Sequence, residues 1–127
     1  MSKKVFNSPN SYKPVGPYNQ AVVANNLVYT AGQIALDPKT SQMIAGGVTE
    51  QSRQVLTNLR AVLEAAGSSL EKVMKCTVFL KDMNDFAAMN AVYSEFFEAK
   101  TAPARSTIEV ARLPKDALVE IEAVATV

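Results

Sequence analysis

The sequence contains no histidine, a single cysteine and almost no net charge, with thirteen Lys and Arg against twelve Asp and Glu for a formal +1. Without imidazole there is no Ser-His-Asp or Cys-His triad, no ordinary zinc site and no imidazole proton shuttle. Cys76 alone cannot close an intrachain disulfide. The charge balance supplies no long-range field for phosphate backbones or anionic bilayers, so nucleic acid and membrane are not expected as partners. No apolar run approaches the roughly 20 residues of a membrane span. Lys3 and Lys4 are not followed by the apolar stretch of a secretory signal, and a cytoplasmic protein is expected.

What is present is enough for one core. The 127 residues are 48% hydrophobic and 20% charged, the composition of a single domain over residues 1–127. The stretch 8–17 holds three prolines among turn formers and reads as an ordered loop. Gln20 to Ala24 and Leu27 to Leu36 are rich in β-branched and apolar residues, and Asn25-Asn26 between them suits a hairpin turn. From Thr49 the period changes: Val55, Leu56, Leu59, Val62, Leu63 and Ala66 make a helical stripe, with Thr49 the expected N-cap and Gly67 the expected C-cap.

Val73 to Leu80 returns to period two, with Met74, Cys76, Val78 and Leu80 expected on the buried face. Asp82 offers an N-cap to a second helix whose apolar stripe is Phe86, Met89, Tyr93, Phe96 and Phe97. Arg105 to Val110 and Leu118 to Val127 read as two further strands. Two one-sided helices bracketed by strands imply a two-layer α+β domain, a mixed sheet with both helices on one face. The uncovered face of the last strand mixes Glu120 and Glu122 with aliphatic groups, which suits a subunit interface, and a homo-oligomer packed sheet to sheet is expected.

Parity places Arg105, Thr107 and Glu109 on one face of their strand and Ser106, Ile108 and Val110 on the other. If the last two strands pair with apolar faces matched, Arg105 and Thr107 share a face with Glu120 and Glu122. A guanidinium there would grip a small carboxylate and a glutamate would orient water, although a structural ion pair fits the same pattern. Cys76, alternating within an apolar face, reads as a buried core residue.

Gly16-Pro17-Tyr18-Asn19-Gln20-Ala21, Ala31-Gly32-Gln33-Ile34, Thr77 to Met83, Pro103-Ala104-Arg105-Ser106 and Glu120 to Ala125 occur in one order along the chain. Their conjunction resembles the RidA family, also called YjgF/YER057c/UK114, over essentially the whole length. The resemblance implies a chorismate-mutase-like α+β fold and a homotrimer with three clefts between subunits. It also implies hydrolysis of 2-iminobutanoate and 2-iminopropanoate to 2-oxo acids and ammonia, without cofactor or metal. By resemblance Arg105 would hold the substrate carboxylate, Glu120 the attacking water, and Tyr18 would help close the pocket. Gly32 would offer its N–H, and Asn90 would line the site.

Ala31 and Thr107 stand where the archetype has serine and cysteine, so substrate range or rate is expected to differ there. Other functions weighed are a non-catalytic sensor of 2-oxo acids, an endoribonuclease or translation inhibitor, and a chaperone-like protein. The near-neutral charge and missing histidine speak against RNA chemistry.

Overall fold

The computed structural model describes residues 2–127. In chain order the elements are β1 (Lys4–Phe6), β2 (Ala21–Ala24), β3 (Leu27–Thr30), α1 (Val48–Ala65), β4 (Val73–Leu80), α2 (Phe86–Phe96), β5 (Ala104–Glu109) and β6 (Val119–Thr126). They form one mixed sheet in the order β1-β2-β3-β6-β4-β5, in which only β4 and β5 run parallel. Both helices lie on one side, and the main core fills the space beneath them with Leu56, Leu59, Leu63, Val78, Met89 and Ile121. This is the expected α+β arrangement, with the short β1 added at the sheet edge.

The chain's punctuation explains the element ends. Asn25 and Asn26 both adopt positive φ, which closes the β2–β3 hairpin with the hand that strand twist favours. The N-cap of α1 is Gly47 rather than Thr49, and the Glu50 carboxylate accepts the Gly47 N–H at 2.7 Å. At the other end Ala66 is the C-cap and Gly67, at φ +82°, follows it. Ser68 N donates to Leu63 O and Gly67 N to Glu64 O, the paired bonds of a Schellman stop. Asp82 caps as expected, accepting the Asn84 N–H at 2.9 Å, but opens a short 3₁₀ turn before α2 begins at Phe86.

Three expectations are corrected. The strand expected to reach Leu36 ends at Thr30, because residues 31–36 leave the ladder and retain two isolated bridges, Gln33 to Ile121 and Leu36 to Met43. Fully buried Asn58 of α1 holds this segment by donating to the carbonyls of Ile34 and Leu36, at 3.2 and 2.9 Å. Met74 is exposed and Val73 buried, since the β4–β6 register shifts between Val73 and Lys75. Finally, β5 and β6 are not neighbours: β4 runs between them.

Candidate functional site

The third correction decides the site. Cys76 is opposite Ala123 on one side and Arg105 on the other, so these three residues share a sheet face. Cys76 and Ala123 are core, hence Arg105 points to the helix side together with Thr107. Phe79 pairs with both Glu120 and Ile108, which puts Glu120 and Ile108 on the opposite, uncovered face. Arg105 and Glu120 therefore do not share a face in one chain, contrary to the parity expectation, and the positions singled out divide into two groups.

The first group surrounds Arg105. Its Nη1 donates to Asn90 Oδ1 at 2.8 Å, and its guanidinium carbon stands 4.6 Å from the Tyr93 ring centre and 5.5 Å from that of Phe86. Residues 86, 90 and 93 fall on one side of α2 at helical spacing, so one helix supplies two aromatic surfaces and an acceptor. Among the described residues Arg105 makes no ion pair, since the two salt bridges present join Arg53 to Glu95 and Arg112 to Asp116. A cation oriented on a single neutral acceptor keeps donors for an anion. Asn90, Tyr93, Phe97, Pro103 and Arg105 line a cleft of about 560 Å³. Thr107, two residues along β5, is not among its lining residues, and its Oγ1 is buried with no hydrogen bond among the described residues.

Beneath Arg105 sit Cys76 and Tyr93. Burial pushes both the Cys76 thiol and the Tyr93 phenol above their ordinary values, so neither is a base or nucleophile near neutrality. Cys76 is the core residue expected.

The second group surrounds Glu120. Tyr18, Ala31, Gly32 and Glu120 line a cleft of about 410 Å³ with Tyr12, Val15, Ile34, Leu36, Pro114 and Lys115. A β-carbon at position 32 would collide with the Glu120 carboxylate, so glycine is required there for close approach. Burial, with a smaller contribution from Glu122, raises the Glu120 carboxyl above its ordinary range, which makes its ionised form a better proton acceptor.

The loop over residues 8–20 walls this cleft and is anchored by buried amides. Gln20 Oε1 accepts from Ser8 N at 2.6 Å and its Nε2 donates to the Tyr12 carbonyl, while Gln33 Oε1 accepts from Ser11 Oγ at 3.2 Å. The apolar stripe of α2 places Tyr93 in the core alone, and the proline-rich stretch places Tyr12 in a loop. The spacing of Phe86, Asn90 and Tyr93 was a usable signal for the first, whereas nothing local marks Tyr12.

A mixed six-stranded sheet with two helices is the α+β fold of the solved YjgF and L-PSP structures. The chain belongs to the RidA (YjgF) family, and the family model described as Endoribonuclease L-PSP matches residues 8–127. A RutC family protein of Synechocystis is 60% identical over 98% of this chain and 97% of its own. A protein of Dermatophagoides farinae named 2-iminobutanoate/2-iminopropanoate deaminase is 42% identical over 98% and 97%. The crystal structure of E. coli TdcF with bound serine superposes with a TM-score of 0.91 at 43% identity, covering 98% of each chain. Among the described residues no helix is long and apolar enough to cross a membrane.

Proposed function

We propose that this protein hydrolyses 2-imino acids such as 2-iminobutanoate and 2-iminopropanoate to 2-oxo acids and ammonia, as a homotrimer whose clefts lie between subunits. The observation that carries the reading is the Arg105 guanidinium, fixed by Asn90 and two aromatic rings and free of any acidic partner among the described residues. That is the form a carboxylate anchor takes. Two relatives bear on the ligand: one is named for the deaminase activity, and another holds serine, itself an α-substituted carboxylate.

Because Arg105 and Glu120 face opposite sides of the sheet, a site using both draws them from two copies of the chain. The uncovered face has the composition for such packing, carrying Val22, Tyr29, Val124 and Ile108 beside Glu120. In the complete site Arg105 holds the substrate carboxylate and Glu120 of the neighbouring copy accepts a proton from water as the oxygen adds to the iminium carbon. The resulting carbinolamine takes that proton on nitrogen and expels ammonia as its hydroxyl proton passes to the re-ionised Glu120, which hands it on to the departing ammonia, leaving the 2-oxo acid and ammonium. An iminium carbon is already electrophilic, so positioning and electrostatics suffice without covalent catalysis.

The test couples a threonine dehydratase to the protein and times 2-oxobutanoate release, with semicarbazide as competing imine trap. Acceleration by the wild type and its loss in Arg105→Ala are expected. Binding of 2-oxobutanoate without acceleration would instead make the protein a sensor. Sedimentation showing a stable monomer at micromolar concentration would remove the shared site.

A further inference from the structure

Tyr12 is a buried polar group that the reaction above leaves unused. It is 4% exposed, yet it lines the Glu120 cleft beside Tyr18 and Gly32. The residue is held at both ends: its backbone carbonyl accepts from Gln20 Nε2 and its phenol oxygen accepts from Ile34 N at 3.1 Å. Among the described residues the phenol O–H itself donates to nothing. A buried hydroxyl with one lone pair committed and its proton free is placed for a partner in the cavity it lines.

The surroundings narrow that partner. The ionisable groups around Glu120 are Glu122 on the same strand, Tyr12 and Tyr18 from the loop and Lys115 from the turn before β6, while its neighbours Phe79 and Gly32 are uncharged. Much of the remaining cleft wall is apolar, with Val15, Ile34, Leu36 and Pro114. Burial pushes the Tyr12 phenol up to about 12, so it remains protonated and acts as a donor. The Ile34 N–H polarises it further by donating to its oxygen.

We propose that Tyr12 is a second holder of the hydrolytic water, its O–H donating to the oxygen of a water molecule whose own proton is directed at the Glu120 carboxylate. Held from both sides, that water turns its remaining lone pair toward the imine carbon, and its proton passes to Glu120 as the carbon–oxygen bond forms. The inference rests on the deaminase reading for its kinetic consequence but not for its structural one.

Two measurements test it. In Tyr12→Phe, which keeps the ring and loses the hydroxyl, kcat falls about tenfold with KM unchanged and the oligomer retained. An unchanged kcat, or a rise confined to KM, overturns the proposal. Independently of that variant's folding, a crystal structure of the wild-type protein shows an ordered water within hydrogen-bond distance of both Tyr12 Oη and the Glu120 carboxylate. Water bound to one of them alone, or to neither, also overturns it. A bridging water in a protein that accelerates no imine hydrolysis sinks the deaminase reading and leaves the structural assignment standing. Full turnover in Tyr12→Phe does the reverse.

Discussion

Gly32 lies directly against the Glu120 carboxylate, with no room for a β-carbon between them. The pairing joins an irregular segment to the start of β6, and it sets where the carboxylate oxygens point. Gly32→Ala forces the Glu120 side chain to move from Cγ outward but meets no backbone among its nearest atoms, so stability is expected to hold while the carboxylate is displaced from its water. Turnover should fall tenfold or more with a melting temperature near wild type. An active Gly32→Ala protein would show that the position of this carboxylate does not matter.

On the opposite face, Asn90 is, among the described residues, the single hydrogen-bonding restraint on the Arg105 guanidinium. Asn90→Leu keeps the helix and the aromatic faces but frees the cation to rotate. Loss of one charge-assisted bond corresponds to about 1.5–3 kcal/mol at most, and it should appear chiefly as a raised KM. Initial-rate kinetics over a wide substrate range check this, and an unchanged KM counts against Arg105 as the carboxylate anchor.

Fully buried Asn58 ties two carbonyls of the 31–36 segment to α1. Asn58→Ala leaves the Leu36 carbonyl without a donor and the Ile34 carbonyl with the Leu36 N–H alone, at about 1–3 kcal/mol for the orphaned buried group. Urea denaturation should show a loss of about 1–3 kcal/mol. Since Ala31, Gly32, Ile34 and Leu36 line the Glu120 cleft, activity should fall further than the unfolded fraction explains.

Glu120 works as a proton acceptor only when ionised, and burial and Glu122 both favour its protonated form. The acidic limb of kcat/KM is therefore expected above the ordinary glutamate range. Glu122→Gln removes one of the two causes and moves that limb to lower pH. A pH–rate profile whose acidic limb does not move in Glu122→Gln separates the limb from Glu120.

Much of the fold was legible because it rests on local periodicity. The α1 stripe, the alternation of β4 and β6, the Asn25-Asn26 turn and the capping of Asp82 each follow from residues within a few positions of one another. The misplaced features are long-range. Met74 was assigned inward by strict alternation, and one register slip against β6 turned it out. For β5, alternation separated Arg105 and Thr107 from Ser106 and Ile108 correctly but matched the wrong side to the core. An edge strand beside α2 offers its Arg105 two rings and an amide, so the mixed face turns to the helices and Ile108 faces outward.

By itself the sequence determined both helices and the strands other than β1, the chemistry available and the motifs of the family, because helix and strand periods, turn residues and the absence of imidazole are properties of short segments or of composition. The tertiary structure alone decided that β4 separates β5 from β6, and hence that Arg105 and Glu120 look to opposite sides of one sheet. Alternation tells which residues of a strand share a face. Only the pairing of strands distant in sequence tells which of those faces meets the core, since that choice is made by the packing of the whole layer.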